Sequence, residues 1–326
     1  MTALLLTVDT ELSSSLHGRG VSLDDNIRRS IWAEAGRHSY GIGWQMDMMD
    51  LHGLKGVFFV DPLPALVHGA DFLQPIVRSI VDRGHEVQLH IHTEWLAWAS
   101  KTPVDGRLGR NIGDFSVNDQ ILLLSLAKRL LEEAGAPAIT AFRAGNFGAN
   151  DDTLRALAAI GILWDSSVNP AYLNRDCGIS VEPGLIAAQR KLGVTELPVS
   201  GITDRPGGFR PAQICAMSAA EMLGGLRHAA REGHSAFVVV THSFELLSRD
   251  RQRPNHAVMT RFEQLCREAS RLPDIRTAGF HDLAPDLADA PARALTRLAP
   301  HRWRTGMRIA EQALATWRYE RRLIPA

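Results

Sequence analysis

Cysteine is scarce in this chain, and its placement excludes two kinds of small-protein scaffold. Only three cysteines occur in 326 residues, and no two of them stand in a Cys-x-x-Cys spacing. An odd number of thiols without that spacing argues against a disulfide framework and against a zinc ribbon. We therefore expect buried or incidental thiols in a reducing compartment. The three are Cys177, Cys215 and Cys266.

Long hydrophobic runs and a basic leader are also lacking. The first apolar run extends from Ala3 to Val8 and stops at Asp9, and no basic segment precedes it. Such a run is too short for a signal peptide and far too short for a membrane span. The sequence therefore predicts a cytoplasmic protein.

The chain has no net charge, but its charges are unevenly distributed. Basic and acidic side chains number 36 each. Residues 291–326 contain eight arginines, no lysine and two glutamates, so this segment carries +6 and the remainder −6. The body of the protein is therefore not a general polyanion binder, and we expect no nucleic-acid partner.

The segment 289–326 is predicted to be a basic, amphipathic helical tail. Its apolar residues recur every three or four positions and therefore share one helical face. Flanking arginines are typical of a helix that lies on an anionic membrane, here the inner membrane face. The alternative is a terminal helix that packs its apolar face on the protein, which is the commoner arrangement. The apolar positions are Trp303, Met307, Ala310, Leu314 and Trp317, and the flanking arginines are Arg302, Arg304, Arg308, Arg318, Arg321 and Arg322.

Short apolar runs alternate with helical patterns along residues 1–288, which predicts an α/β fold. A doubly wound sheet often has a Gly-x-Gly-x-x-Gly turn after its first strand, and this chain has none. A (β/α) barrel instead gathers its chemistry from the ends of many strands. Polar residues follow five of the runs, so we predict a barrel of about seven to eight parallel strands as one catalytic domain. The predicted strands are Ala3–Val8, Gly56–Val60, Glu86–His92, Ile139–Arg143, Ile162–Asp165, Thr195–Val199, Ala236–Thr241 and Ile275–Gly279, and the predicted helices lie near Asp25–Asp50, Asp71–Arg83, Val117–Ala134, Asp151–Ile160, Ser218–Arg231 and His256–Leu272.

Two acids follow the first predicted strand. Asp9 and Glu11 are separated by one residue, and alternate residues of an extended chain share a face. One carboxylate could bind a divalent metal while the other accepts a proton from water. Solvated acids at a strand end are the alternative.

Two histidines lie on one face of the third predicted strand. His90 and His92 alternate with apolar residues, and Glu94 continues their row if the strand persists. Neutral imidazole together with carboxylate is a normal ligand set for zinc and related ions. This pattern favours a metal site over ordinary packing.

An arginine and a histidine end two further strands. Arg143 leaves its strand into a loop that contains Gly145 and Gly148. A guanidinium stays charged in any environment and can hold a carboxylate ionised, although a structural salt bridge is equally common. His242 ends a strongly apolar strand, where an imidazole suits acid–base chemistry near neutral pH.

These segments together resemble, in order, the motifs of the polysaccharide deacetylase family, also called the NodB-homology or carbohydrate esterase family 4 group. The resemblance extends from about Leu4 to about Phe280. Individual motifs depart from the commonest form: Thr10 stands where the family has a metal-binding Asp, and Glu11 is the nearest substitute. The matching segments are Thr7–Glu11, Gly53–Val60, Gly84–Glu94, Arg143–Gly148, Trp164–Val168 and Val240–His242.

The resemblance implies a distorted (β/α) barrel that hydrolyses an N-acyl, usually N-acetyl, group on a sugar. It implies that Asp9 is the general base and that Arg143 orients it. His242 is implied as the general acid, with Asp165 as its orienting partner.

The resemblance also implies a divalent metal, with zinc as the first expectation. Glu11 and His90 are the implied ligands, completed by His92, Glu94 or both, because Glu94 occupies the position of the family's second histidine. The loop after Arg143 faces the substrate in the family. The residues expected to contact the substrate are Asn146, Phe147 and Trp95.

Two other functions remain open at this point. One is a hydrolase or deformylase of another small amide on the same fold. The other is an inactive carbohydrate-binding relative, against which the joint presence of a base, an acid and their orienting residues argues. A cytoplasmic protein of this kind would act on a precursor of a surface polysaccharide or glycolipid.

Overall fold

Helices and strands alternate along the chain in the computed structural model, which describes residues 1–182, 184–284, 286–289 and 295–320. The strands are β1 (Thr2–Thr10), β2 (Glu34–Ala35), β3 (His38–Ser39), β4 (Gly56–Val60), β5 (Glu86–Ile91), β6 (Ala141–Ala144), β7 (Trp164–Asp165), β8 (Gln189–Lys191), β9 (Val194–Glu196), β10 (Gly201–Ile202), β11 (Arg210–Pro211), β12 (Ala236–His242) and β13 (Ile275–Thr277). The helices are α1 (Ser14–Gly18), α2 (Leu23–Ser30), α3 (Ile42–Leu51), α4 (Ala65–His68), α5 (Leu73–Val81), α6 (Val117–Glu133), α7 (Asp151–Ala159), α8 (Ala219–Glu232), α9 (His256–Ala269) and α10 (Arg302–Ala315).

The chain forms two compact units. The first contains Met1–Lys55, Ser200–Thr277 and the segment that begins at Leu295. In it, β1 pairs in parallel with β12 and, near its start, with β13. All nine residues of β1 are buried, as expected for a parallel strand covered on both faces. Two short antiparallel pairs, β2 with β3 and β10 with β11, complete its strands.

The second unit contains Gly56–Val199 and the short segment that begins at Ala278. Its strands follow the order β4-β5-β6-β7-β9-β8, in which every pairing is parallel except the antiparallel pair of β8 and β9. Strand β4 is buried throughout, and helices α5, α6 and α7 connect successive strands. The βαβ repeat predicted from the apolar runs is therefore present.

All eight predicted strands are present, with ends that differ by a few residues. The predicted polar residues stand where parallel strands end, which is where α/β folds place their chemistry. Asp9 is the penultimate residue of β1, and His242 is the last residue of β12. In the second unit, Arg143 and Asp165 end β6 and β7 in the same way.

One predicted helix is wrong. The pattern over Asp25–Asp50 forms two helices, α2 and α3, separated by the β2–β3 hairpin. Gly41, which caps α3, explains the break: a Cβ there would lie 2.0 Å from the carbonyl oxygen of Ile31. Only glycine allows the backbone to return this closely.

The C-terminal helix α10 forms as predicted, but its packing contradicts the alternative in which its apolar face docks. Trp303 and Leu314 are 80% and 67% exposed. The buried residue is Arg308, which donates hydrogen bonds to Glu221 and Asp204 at 3.1 and 3.4 Å. The helix therefore docks through a charged side chain. Arg321 and Arg322 lie outside the described residues.

Within the described residues, no helix combines the length and the apolar character needed to cross a membrane.

Candidate active site

Asp9 and His242 face each other on neighbouring strands of the first unit. They are register partners in the β1–β12 ladder, and Nε2 of His242 lies 3.9 Å from Oδ2 of Asp9. The backbone supports this arrangement, because the Ser243 amide donates to the Asp9 carbonyl at 3.0 Å and the Gln45 side chain donates to the His242 carbonyl at 3.1 Å. Asp9 is buried, whereas the His242 side chain keeps 22% of its surface exposed. An external group can therefore reach this pair through the imidazole.

Glu245 is the carboxylate that orients His242. Nδ1 of His242 lies 2.9 Å from Oε1 of Glu245, so Nδ1 carries the proton of this hydrogen bond. Gln213 donates to the same oxygen at 3.0 Å, and Thr241 donates to the other at 3.2 Å. The carboxylate is thus held on both oxygens. The resemblance assigned this contact to Asp165, but at Nδ1 it is Glu245 that makes it.

The charge around His242 favours its protonated form. Burial alone lowers the pKa of His242, but the carboxylates of Glu245, Asp9 and Glu11 outweigh it and raise the pKa to about 9. For Glu245, burial raises the pKa, and the His242 imidazolium together with its hydrogen bonds lowers it below the usual range. The pair is therefore an imidazolium and a carboxylate at neutral pH.

In the second unit, His90 has a defined tautomer. Its Nδ1 lies 2.7 Å from the carbonyl oxygen of Arg143. Because a carbonyl oxygen only accepts, Nδ1 must carry the proton, which leaves a lone pair on Nε2. Metal-binding histidines commonly use a backbone carbonyl in this way to set the tautomer.

His92 has a similar arrangement with a carboxylate. Its Nδ1 lies 3.2 Å from Oε2 of Glu94, and the Asn146 side chain donates to the other oxygen of Glu94 at 2.9 Å. Burial raises the pKa of Glu94, but the His92 and Asn146 contacts outweigh it and lower the pKa below the usual range. Glu94 therefore accepts from His92. The rings of His90 and His92 stand 5.0 Å apart, centroid to centroid.

The loop after Arg143 has a strained backbone that shapes this cluster. Asn146 and Phe147 both have positive φ angles, 56° and 55°, a conformation that non-glycine residues rarely adopt and that often marks a functional site. Gly145 packs so closely that a Cβ there would lie 2.8 Å from Nδ1 of His92. The loop thus sets the position of the His92 ring.

Arg143 is fully buried at the end of β6. Its Nε donates to the Ser166 carbonyl and its Nη2 to the Ser166 hydroxyl, both at 3.2 Å. The guanidinium also lies over the Phe59 ring, 4.3 Å from its centroid. A buried charge held in this way has a fixed direction, which suits an orienting role.

Asp165 belongs to a buried carboxyl pair that sequence reasoning missed. It is the β-ladder partner of Glu196, and both residues are fully buried. The Ser167 hydroxyl donates to Asp165 at 2.7 Å. Burial first, and then the charge of Asp165, raises the pKa of Glu196 well above the usual range. Two carboxyl groups paired in this way disfavour carrying two negative charges at once.

The predicted substrate-binding residues differ in burial. Asn146 is partly exposed, and Phe147 is mostly buried against the Tyr172 ring at 5.1 Å. Trp95 is fully buried and packs edge-on against the rings of His68 and Trp98. That burial gives no support to Trp95 as a substrate contact.

The first unit therefore unites Asp9, His242 and Glu245, with Glu11 close enough to influence the imidazole charge. The second unit unites His90, His92 and Glu94 in one cluster, and Arg143 in another with Asp165. Of these residues, Glu245 was missed by sequence reasoning. Its only signal in the sequence is the three-residue spacing from His242, a spacing that many unrelated pairs share.

Comparison with known proteins finds similar structures but no similar sequences. No family model matches the chain, and no curated protein matches it in sequence. A structure described as a polysaccharide deacetylase from Mycobacterium smegmatis superposes with a TM-score of 0.58 at 17% identity, covering 91% of this chain and 94% of that one. A 4-α-glucanotransferase from Thermococcus litoralis gives a TM-score of 0.52 at 10% identity, over 92% of this chain and 41% of that one. A family 4 carbohydrate esterase from Streptomyces lividans, solved in complex with acetate, gives 0.43 at 12% identity, over 92% and 98%.

At these identities the likeness concerns the fold. Because a glucanotransferase and a deacetylase both superpose over nine tenths of the chain, the fold by itself does not set the reaction, and function has to be argued from the site. The distorted (β/α) barrel predicted from the sequence is confirmed as the fold class. The chain thus has the fold of the polysaccharide deacetylases, the family that its motifs resemble.

Proposed function

We propose that this protein is a metal-dependent hydrolase that removes an N-acetyl or other N-acyl group from a sugar. The observation that carries the proposal is the pairing of Asp9 with a charged, Glu245-bound His242. One group is suited to take up a proton and the other to release one. Both lie at the ends of parallel strands, as catalytic groups in barrel enzymes do.

The reaction needs both groups because an amine is a poor leaving group. Asp9 accepts the proton of the attacking water. His242, which carries a proton at neutral pH, donates it from Nε2 to the departing amine nitrogen. Glu245 keeps Nδ1 protonated and the ring aligned throughout. The motif resemblance assigns Arg143 to orient the base and Asp165 to orient the acid, and Glu245 takes the second of these roles at Nδ1 of His242.

The metal ligands we propose are Glu11, His90 and His92. They offer a carboxylate oxygen and two imidazole nitrogens, a donor set that fits zinc and related divalent ions. Both imidazoles have Nδ1 engaged by an acceptor, which directs Nε2 to a ligand. Glu94 then orients His92 instead of binding the metal itself. When bound, the ion supplies Lewis-acid activation of the acyl carbonyl and of the attacking water.

We further propose that the protein works in the cytoplasm at the inner face of the membrane. The exposed apolar residues of α10 and of the helical turn after it support this, since Trp303, Met307 and Leu314 in α10 and Trp317 in that turn are all more than half exposed. Exposed tryptophans beside arginines suit an anionic lipid surface. A substrate that is a precursor of a surface polysaccharide or glycolipid would be met there.

The direct test combines metal analysis with product detection. Purified protein is assayed for metal content by mass spectrometry and for acetate release over a panel of N-acetylated sugars, before and after chelation. We expect about one divalent ion per chain and chelator-sensitive acetate release. Protein that holds no metal and releases no acetate from any member of the panel contradicts the proposal.

A further inference from the structure

A polar pocket lies in the first unit, near the proposed acid–base pair. It has a volume of about 440 Å³ and is lined by four arginines and two serines, together with a single acid. That volume falls within the range of small-ligand pockets. The arginines are Arg19, Arg29, Arg249 and Arg251, the serines are Ser13 and Ser15, and the acid is Asp250.

The four guanidinium groups form no ion pair with a carboxylate among the residues that the structure describes. Glu11 acts electrostatically on Arg251 without pairing with it. The acid of the pocket, Asp250, instead accepts from the Ser248 hydroxyl at 2.6 Å and from the Gln252 amide at 3.1 Å. The pocket therefore concentrates positive charge, which is unfavourable unless an anion enters it.

Arg251 is held in place as a ligand-binding side chain would be. Its backbone adopts a positive φ of 55°, which is strained for a residue with a side chain. Its guanidinium lies over the Phe244 ring, 3.8 Å from the centroid, and donates to the Ser30 hydroxyl. Burial is the main cause that lowers the pKa of Arg251 to about 10, so the group stays charged at neutral pH.

The pocket adjoins the proposed reaction centre. The Phe244 ring that supports Arg251 also contacts the His242 ring, at a centroid distance of 5.5 Å. Ser13, which lines the pocket, follows Glu11 by two residues, and the Glu11 carboxylate acts on both His242 and Arg251. A group bound in the pocket would therefore lie next to the atoms that the acid–base pair serves.

We infer that this arginine pocket binds the phosphate or pyrophosphate group of a sugar phosphate substrate. Guanidinium groups bind phosphate oxygens in bidentate fashion, and serine hydroxyls add further donors. Four arginines and Asp250 give the pocket lining a net charge of +3, which suits the two to three negative charges of a pyrophosphate. The inference rests on the proposed function, and it narrows the substrate from any N-acylated sugar to one that carries phosphate.

Direct binding tests the pocket without using activity. Isothermal titration calorimetry with inorganic pyrophosphate compares the wild type with the double variant Arg29→Gln/Arg249→Gln. Both arginines are exposed, so the variant should fold, which a thermal melt checks. Losing two charge-assisted contacts should weaken binding by about tenfold or more. The control Arg37→Gln/Arg231→Gln removes the same charge from exposed positions outside the pocket and should bind as the wild type does.

Turnover then identifies the source of the phosphate. The substrates are UDP-N-acetylglucosamine, a short-chain polyprenyl pyrophosphate-linked N-acetylglucosamine and a neutral N-acetylated oligosaccharide. We expect the wild type to have a higher kcat/KM for one of the first two substrates than for the neutral oligosaccharide. In the pocket variant, the ratio of these two kcat/KM values should fall about tenfold. The preferred substrate shows whether the phosphate is nucleotide-linked or lipid-linked.

The two proposals fail in different ways. Wild-type protein that does not bind pyrophosphate, or that loses binding equally in the control variant, overturns the pocket even if sugars are deacetylated. Arginine-dependent pyrophosphate binding without acetate release from any sugar overturns the deacetylase proposal and leaves the pocket standing.

Discussion

Nδ1 of His242 and Oε1 of Glu245 lie 2.9 Å apart, and this contact sets the charge of the proposed acid. Together with Asp9 and Glu11, Glu245 raises the pKa of His242 to about 9 in spite of burial. Below that pH the imidazole is protonated and can donate its proton. Above that pH the imidazole is neutral and can no longer act as the acid. The working range of the enzyme therefore depends on Glu245.

We predict that Glu245→Gln lowers the pKa of His242 toward its ordinary value. In metal-free protein, NMR titration of the imidazole should show a midpoint near pH 9 in the wild type and a lower one in the variant. The loss of kcat at high pH should move to lower pH in the same direction. Glu263→Gln, an exposed change in α9, is the matched control. An unchanged His242 midpoint in Glu245→Gln would mean that other groups set its charge.

Asp9→Asn and His242→Ala test proton transfer itself. Each should lower kcat by about a hundredfold or more, the usual scale for positioned acid–base groups. Metal content should stay near that of the wild type, since neither residue is a proposed ligand, and a thermal melt checks that each variant remains folded. His38→Ala, which changes an exposed histidine of the β3 strand, serves as the control. Normal turnover in both variants would remove Asp9 and His242 from the mechanism.

The proposed metal site gives His92 and Glu94 different roles. If His92 binds the ion and Glu94 orients it, His92→Ala should abolish stoichiometric metal, as should Glu11→Ala and His90→Ala. Glu94→Gln should only weaken metal affinity, by about ten- to a hundredfold. Competition with a fluorescent chelator measures each constant, with Glu133→Gln as an exposed control. Stoichiometric metal in His92→Ala together with its loss in Glu94→Gln would reverse the two roles.

The sequence predicted the strands and their terminal residues because buried parallel strands read as unbroken apolar runs. Asp9, Arg143 and His242 were found because each interrupts such a run. Glu245 was missed, since a three-residue spacing does not show which side chains meet in a turn. Glu196 was missed for a different reason: its partnership with Asp165 depends on the register of β7 and β9, which pairs two residues that are 31 positions apart in the chain. The break after α2 depends on a single close approach at Gly41, which composition does not reveal.

The buried Arg308 side chain is predicted to anchor α10. It is bonded to the buried Glu221 and to Asp204, which also accepts from Arg210 at 2.7 Å. Arg308→Ala leaves the Glu221 carboxylate without its cation, and removing one partner of a buried pair costs about 3–5 kcal/mol. Chemical denaturation should show a correspondingly lower free energy of unfolding. Arg302→Ala, at an exposed position in the same helix, should have a negligible effect, and an equal loss in both variants would mean that Arg308 is no anchor.

The exposed face of α10 makes the membrane proposal testable with little disturbance of the fold. Deleting the helix would also remove Arg308 and leave Glu221 unpaired, so substitution at the surface is the cleaner design. Trp303→Ser/Trp317→Ser removes two side chains that are 80% and 58% exposed and therefore contribute little to the core. Burying each indole in the lipid interface would contribute on the order of 1–2 kcal/mol, so the double variant should lose about 2–4 kcal/mol and bind vesicles at least about thirtyfold more weakly. Co-sedimentation with phosphatidylcholine vesicles, with and without phosphatidylglycerol, measures this binding. Trp98→Ser, at a partly exposed site in the second unit, is the control.

Because arginines flank the face, wild-type binding should require the anionic lipid and decrease with salt. Wild-type protein that stays in the supernatant with anionic vesicles at low salt would show that the exposed face of α10 does not serve the membrane.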